Sequence, residues 1–173
     1  MKIHRVVVGY LEENCYILEK DGKVLVIDPG DEIDKIKEVI NNNKVVGVLV
    51  THSHFDHIGA LSYFNKNIIH AFNNLEEKEY KIEGFTFEVI YNPGHSKDSV
   101  SYYFKEENTL FGGDFIFYRS IGRCDLEGGD YNKMMSSISK IKKYPKDMKI
   151  YPGHGRKTTL EEEIKYNAYF DER

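Results

Sequence analysis

Apolar and polar residues alternate in short stretches along the first part of the chain, and turn residues separate the stretches. Runs of this length that are rich in β-branched residues are typical of strands. The pattern predicts three strands, near residues 2 to 8, 14 to 19 and 23 to 28. A helix is predicted next, because Ile33, Ile36, Val39 and Ile40 recur at helical spacing. The asparagines from Asn41 to Asn43 end this helix.

The rest of the chain predicts further strands and helices in alternation. The run from Lys44 to Val50 is short and almost entirely apolar, which indicates a strand buried on both faces. Helical apolar spacing predicts a helix over residues 57 to 64. Later strands are predicted at residues 68 to 71, in a hairpin over 79 to 91 and around a polar turn within 99 to 114. Two more helices are predicted, one over Met134 to Ile141 and one that begins after Thr158 and Thr159, which with Glu161 and Glu162 form an N-cap signal.

Length and composition limit the architecture. The chain has 173 residues, which is enough for one well-buried domain and short for two, so we predict a single domain over residues 1 to 173. No apolar run reaches membrane-spanning length, and the first residues carry charges through their only apolar stretch, unlike a signal peptide. These features predict a cytoplasmic protein with no membrane partner.

Charge and cysteine content weaken two other classes. The net charge is −4, and the lysines are dispersed, whereas phosphate backbones are bound by concentrated basic patches. We therefore predict no nucleic-acid partner, and the sequence makes no prediction of the oligomeric state. Cys15 and Cys124 are too few for a disulfide framework and belong to no metal-binding CxxC pair, so both are predicted to be inert thiols.

Seven metal-binding side chains follow the ends of predicted strands. Four of them lie in the segment THSHFDHIGA, and each of the others follows an apolar run that Pro-Gly or Gly-Gly closes. Such turns leave the next side chain at the carboxyl edge of the strand, where open α/β sheets bind their ligands. The seven residues are His52, His54, Asp56, His57, His95, Asp114 and His154.

Spacing divides these side chains between two neighbouring ions. Side chains alternate along an extended chain, so His52, His54 and Asp56 can share a face if the extension persists, whereas His57 can join only if the backbone turns. One ion would take His52, His54 and His95, and the other would take Asp56, His57 and His154. Asp114 is then left to bridge both ions through its two oxygens. Nitrogen-rich ligation with some carboxylate suits zinc best, with iron or manganese possible.

The motif set resembles the metallo-β-lactamase superfamily. The segments DPG, THSHFDHIGA, NPGHSKDSV, GGDFIFYRSIGRCD and PGHGRKTT are more closely similar to its glyoxalase II-like, single-domain hydrolases, over Asp28 to about Asn167. The resemblance implies an α/β (α+β) fold, built as a four-layer αββα sandwich. It also implies that the seven residues are the ligands of a dinuclear centre.

The predicted chemistry is hydrolysis by a hydroxide that bridges two divalent ions. Paired ions lower the pKa of water from about 16 to about 7, so hydroxide forms at neutral pH without a separate base. Asp56 would orient it and Asp114 would hold both ions, which makes these two the predicted catalytic residues. A thiolate leaves without a strong general acid, which favours thioesters, and the resemblance implies S-D-lactoylglutathione as the substrate. The alternatives are a mononuclear-iron persulfide dioxygenase, a lactonase and a metal-stabilised binding module.

Two charged residues near the motifs, Asp28 and Arg123, are given roles outside the set of seven metal ligands. Asp28 follows an apolar strand and is interpreted as a structural residue that holds a ligand loop. In the resembled enzymes a lysine and a tyrosine near the bridging aspartate contact glutathione, whereas this chain has Arg123 and Asp125 there. Arg123 is a predicted substrate-binding residue, but it can equally pair with Asp125. His4 and His70 are predicted to be structural.

Overall fold

Two β-sheets face each other in the computed structural model, which describes residues 1–171. The first sheet has the strand order β1-β2-β3-β4-β5, with β1 Lys2–Val8, β2 Glu13–Lys20, β3 Lys23–Ile27, β4 Lys44–Leu49 and β5 Ile69–His70. The second has the order β13-β12-β9-β8-β7-β6, with β6 Glu79–Ile82, β7 Phe85–Tyr91, β8 Val100–Phe104, β9 Thr109–Gly113, β12 Lys149–Pro152 and β13 Thr158–Thr159. A small hairpin is formed by β10 Ile116–Phe117 and β11 Ser120–Ile121.

The helices are short and lie outside the sheets or between strands. The α-helices are α1 Ile33–Ile40, α2 Phe55–Ile58, α3 Tyr131–Ile141 and α4 Leu160–Tyr166. Single 3₁₀ turns occur at Leu61–Tyr63, Lys66–Ile68, Phe72–Asn74 and Ala168–Phe170. None of the described helices is long and apolar enough to cross a membrane.

Three apolar clusters separate four layers. The inner cluster joins the two sheets and is rich in aromatic residues, including Tyr16, Phe87 and Tyr102. A second cluster packs α3 and α4 on the outer face of the second sheet, and a third packs α1 on the outer face of the first. Helical spacing in α1 buries Ile36 and Ile40 against that sheet, as the sequence predicted. The αββα sandwich is therefore confirmed.

Strand directions bring several strand ends to one edge. Both β7 and β9 are antiparallel to β8, and β12 is parallel to β9, so β7, β9 and β12 end on the same side. The end of β4 is tied to that edge from the other sheet, because Val100 N donates to Thr51 O (2.8 Å) and the Tyr102 hydroxyl donates to Val50 O (2.6 Å). The residues that follow these four strands can therefore meet.

The helix predicted over residues 57 to 64 is wrong in extent. The helix α2 begins at Phe55 and lasts one turn. A neighbouring loop ends it, since Ala60 N donates to Pro29 O (2.9 Å) and a Cβ on Gly59 would overlap the Gly30 carbonyl oxygen. The predicted N-cap of α4 is confirmed, because Thr159 Oγ1 accepts from Glu162 N (3.3 Å). The hairpin of β10 and β11 and the short strand β13 were not predicted.

Candidate metal centre

The segment after β4 changes from extended to helical conformation within its ligand motif. His54 is extended (φ −65°, ψ 144°), and α2 begins at the next residue. This turn lets His57 face the same site as His52, although the alternation of an extended chain would point it away. Asp56 and His57 thus lie in the first turn of α2, beside the two histidines that precede it.

A first group of three imidazoles converges at one end of the site. The atoms His52 Nε2 and His95 Nε2 lie 3.1 Å and 2.9 Å from His54 Nδ1. His54 therefore presents the ring nitrogen opposite to the one its neighbours use. These three residues are close enough to ligate one ion.

A second group lies beside the first. Asp56 Oδ2 is 3.1 Å from His154 Nε2 and 3.6 Å from His57 Nε2. His154 follows β12 and is carried to this position by a bridge between its backbone and that of Glu13. Asp56, His57 and His154 are also close enough to ligate one ion.

The carboxylate of Asp114 lies between the two groups. Its Oδ1 is 3.3 Å from His57 Nε2, and its Oδ2 is 3.5 Å from His95 Nε2 and 3.6 Å from His154 Nε2. One oxygen thus faces His57 of the second group, and the other faces a histidine of each group. The structure brings all seven predicted side chains to one centre.

Outer hydrogen bonds fix the orientation of the rings. His57 Nδ1 donates to Asp28 Oδ2 (2.9 Å), and Thr51 Oγ1 both accepts from His52 Nδ1 (3.1 Å) and donates to Asp28 (2.6 Å). The Nδ1 atoms of His95 and His154 donate to main-chain carbonyls, that of His95 to Arg123 O (2.7 Å) and that of His154 to Leu11 O (3.0 Å). With Nδ1 protonated, each of these four rings directs the lone pair of Nε2 into the centre, whereas His54 presents Nδ1 there.

The exposed lone pairs fit a bound cation. Ring nitrogens and carboxylate oxygens face one another at distances near 3 Å, which is repulsive unless a positive charge lies between them. His57 Nε2 and Asp114 Oδ1 are buried and have no hydrogen-bond partner among the described residues. Burial holds the pKa of His52 well below its usual value, which favours the neutral imidazole that metals bind. The donor set therefore suits divalent metal ions.

Asp28 holds the ligand segment, in agreement with the role inferred from the sequence. It accepts hydrogen bonds from Thr51 N (2.7 Å), Thr51 Oγ1 and His57 Nδ1, and its backbone is left-handed (φ 49°). In Asp28→Asn, the amide NH₂ would face one of these donors. This would favour the His57 tautomer that carries its proton on Nε2, so we expect metal affinity to fall by about 10 to 100-fold. Competition with a chromophoric chelator measures the affinity.

Asp21→Asn is the matched control for that substitution. Asp21 is also left-handed (φ 52°) but lies in the exposed turn between β2 and β3. Aspartate and asparagine both tolerate this conformation, so neither change strains the backbone. Equal metal affinity in Asp28→Asn and Asp21→Asn would contradict the role of Asp28.

Three polar residues near the centre were missed by the sequence analysis. Thr51 joins two of the rings through Asp28, and Asn14 Nδ2 donates to Pro152 O (3.0 Å) in the loop before His154. Glu13 is buried, lies 3.8 Å from His57 Nδ1 and has no hydrogen-bond partner among the described residues. Burial raises its pKa well above the usual value, which favours a neutral acid and makes it a poor ligand. For Glu13 and Asn14 the sequence offered one signal, because both are polar residues at the start of the apolar strand β2.

The centre opens into a cleft of about 620 Å³ with apolar walls. These walls are formed by Leu11, Phe55, Phe117, Ile121 and Leu126. The Arg123 side chain also lines the cleft, but it forms two hydrogen bonds of 2.7 Å with Asp125, which keep the pKa of that acid at about 2. The charge of Arg123 is therefore paired, and its role in substrate binding stays a prediction.

The remaining predicted structural residues lie outside the centre. His4 Nε2 is hydrogen-bonded to Glu19 Oε2 (2.7 Å), and His70 ends β5. Within residues 1–171, Cys15 and Cys124 form no disulfide.

Comparison with known proteins gives a consistent family. The family model described as the metallo-beta-lactamase superfamily matches residues 8–72 and 67–154. Two relatives are similar along their length: the probable metallo-hydrolase YqgX of Bacillus subtilis (32% identity, 99% of this chain and 98% of the relative) and the hydroxyacylglutathione hydrolase GloC of Haemophilus influenzae (30% identity, 100% of both).

Two solved structures are similar over nearly the whole chain. The B3 metallo-beta-lactamase BLEG-1 has a TM-score of 0.92 at 30% identity and covers 98% of this chain and 99% of its own. The protein TTHA1623, solved in a di-iron-bound form, has a TM-score of 0.88 at 29% identity, with 96% and 99% covered.

Proposed function

Because this chain belongs to the metallo-β-lactamase superfamily of hydrolases, we propose that it is a dinuclear metal hydrolase that cleaves thioesters. One observation carries the proposal: two groups of ligand-type side chains lie side by side, with the Asp114 carboxylate between them. His52, His54 and His95 would hold one ion, and Asp56, His57 and His154 would hold the other. Zinc is the proposed metal, and iron is the alternative because a similar protein was solved with two irons.

Bound divalent ions would supply hydroxide at neutral pH and polarise the carbonyl group of the substrate. The side chains of the chain then position the reactants. Asp56 lies at the cleft, where its carboxylate would accept a hydrogen bond from the hydroxide and orient it. Burial opposes its ionisation, but the neighbouring His154 and His57 lower the pKa of Asp56 below its usual value. Asp56 is therefore ionised and can accept this hydrogen bond.

The cleft lacks a group that could protonate a poor leaving group. Outside the seven ligand-type residues, Arg123 is the one ionisable side chain among the described residues that line the cleft. A guanidinium does not give up its proton in proteins. A thiol has a pKa near 8.5, so a thiolate departs unassisted, whereas an amide nitrogen requires a proton. This difference favours thioesters over amides, and the relative described as a hydroxyacylglutathione hydrolase supports the same class.

A substrate panel tests the proposal. The metal-loaded protein should release thiol from S-D-lactoylglutathione or a related acyl-thiol, and a chelator should abolish turnover until metal is restored. An amide with the same acyl group should react at least about 100-fold more slowly, since proton transfer to a leaving group contributes about 10² to 10⁴-fold. Thiol release is followed with a chromogenic disulfide, and metal content is measured on the same sample.

The panel also contains the competing reactions. A lactone tests lactonase activity, a β-lactam tests the reaction named for BLEG-1, and glutathione persulfide with oxygen uptake tests a mononuclear-iron dioxygenase. Turnover of one of these without any thioester hydrolysis would contradict the proposed reaction. A preparation that binds metal and turns over none of the panel would favour a binding module.

A further inference from the structure

A second groove adjoins the catalytic cleft across the β10–β11 hairpin. Phe117 lines the cleft, and the next residue, Tyr118, lines the groove. A second segment passes from one to the other in the same way, because His154 lines the cleft and Arg156, two residues later, lines the groove. The groove has a volume of about 450 Å³. We call it the cation groove, defined by Tyr118, Lys149, Arg156 and Lys157.

Arg156 is held flat against an aromatic ring. Its guanidinium carbon lies 3.4 Å from the centre of the Tyr118 ring. A stacked guanidinium loses part of its rotational freedom, but its N–H groups point outward in its own plane, where they can bind two oxygens of one anion. The ring therefore presents a prearranged donor at the groove.

The positive charges of the cation groove are not neutralised locally. Within residues 1–171, no carboxylate lies within 4.0 Å of the charged groups of Lys149, Arg156 or Lys157. The one acid that lines the groove, Glu162, is engaged by Arg119 at 3.0 Å. Three free cations are thus gathered beside the cleft of a chain whose net charge is −4. An anionic ligand would be attracted to this surface.

We propose that the cation groove binds the phosphate groups of the thiol carrier, so that the preferred substrates are thioesters of a phosphate-bearing thiol such as coenzyme A. The inference rests on the proposed thioester hydrolysis. The thioester carbonyl would lie at the centre and the carrier would extend past Phe117 to the cation groove. Phosphate groups match a bidentate guanidinium with two lysines. Arg123, the cation within the cleft, is already paired with Asp125 and offers less to the carboxylates of glutathione.

Direct binding tests the groove without any turnover. Adenosine 3′,5′-bisphosphate, which corresponds to the phosphate-bearing end of coenzyme A, is titrated calorimetrically into the metal-loaded protein. Loss of charge-assisted hydrogen bonds should weaken its binding to Arg156→Gln/Lys157→Gln by about tenfold or more. The control Lys66→Gln/Lys105→Gln removes two exposed charges elsewhere and should stay within about twofold of the unchanged protein. Equal weakening in both variants, or no saturable binding, would overturn the proposal.

Hydrolysis of one acyl group on three thiols separates this inference from the proposed function. The carriers are coenzyme A, glutathione and uncharged N-acetylcysteamine. In the unchanged protein, kcat/KM should be highest for the coenzyme A thioester. The groove variant Arg156→Gln/Lys157→Gln should lose this preference and leave kcat/KM for the N-acetylcysteamine thioester unchanged. If the groove variant lost activity toward the glutathione thioester alone, the groove would recognise the carboxylates of glutathione and not phosphate groups. That result would overturn the assignment. If no thioester reacts, the proposed function fails, and the bisphosphate titration still decides whether the groove binds phosphate.

Discussion

Asp114→Ala should lose at least one metal ion and nearly all hydrolytic activity. Asp114 presents one oxygen to His57 and the other to His95 and His154, so its loss would leave two groups of ligands with no shared carboxylate. We expect turnover to fall by at least about 10³-fold, more than the 10 to 100-fold effect of an outer partner. Metal content should fall from close to two equivalents per chain to one or none. Elemental analysis and the thioester assay on the same preparation measure both effects.

Asp147→Ala is the matched control for this substitution. Asp147 is exposed in the turn before β12, so the same side-chain truncation there should leave metal content and turnover unchanged. A circular dichroism spectrum of Asp114→Ala that matches the parent would separate ligand loss from unfolding. Full metal occupancy in folded Asp114→Ala would refute the assignment of Asp114 as the shared ligand.

Gly153→Ala should impair the centre although glycine has no side chain that can ligate. A Cβ at Gly153 would overlap Asp114 Oδ1 and would lie 2.6 Å from His57 Cε1. The backbone cannot easily move away, because Gly153 N donates to Gly113 O (2.9 Å) and Gly153 O accepts from Asn14 N (2.7 Å). Displacement of reacting groups by about 1 Å can cost about 10²-fold in rate, and we expect a loss of that size in kcat.

Gly112→Ala tests whether this effect is local to the centre. Gly112 lies in β9, and a Cβ there would be in ordinary contact with its nearest neighbours, at 3.8 Å from Ser101 Oγ and 3.9 Å from Phe115 Cβ. The variant should therefore keep its activity within a fewfold, with no change in metal content. If Gly112→Ala and Gly153→Ala lose activity equally, the loss reflects the strand ends in general and not the contact with Asp114.

Sequence patterns anticipated most of the sandwich for a physical reason. The strand β4 is a short β-branched run that is buried on both faces, and α1 and α3 carry apolar residues at helical spacing. Each of these elements is therefore specified by its own residues. The helix predicted over residues 57 to 64 failed because another segment decided its end. The loop at Pro29 and Gly30 takes the backbone N–H of Ala60 and leaves no room beyond one turn.

The candidate centre also has features that local sequence predicts and features that depend on tertiary contacts. Local sequence identified the seven ligand-type residues, because flexible or rigid turn residues place each of them just after a strand. It did not identify Thr51 or Glu13, because their roles depend on contacts with Asp28, which follows β3, and with His57, which lies in α2. It also left open whether Arg123 is free, which the ion pair with Asp125 decides for the isolated chain.

By itself the sequence determined the strand and helix types and the chemical identity of the groups at the candidate centre, since these depend on side-chain periodicity and on turns between neighbours in the chain. The layered fold was implied by the resemblance of its motifs to a known family. Only the tertiary structure decided the ring orientations, the place of Asp114 between the two groups and the neighbourhood of the cation groove. Those features arise where strand ends from two sheets meet, and the distances between them are set by packing across the sandwich rather than by any single segment.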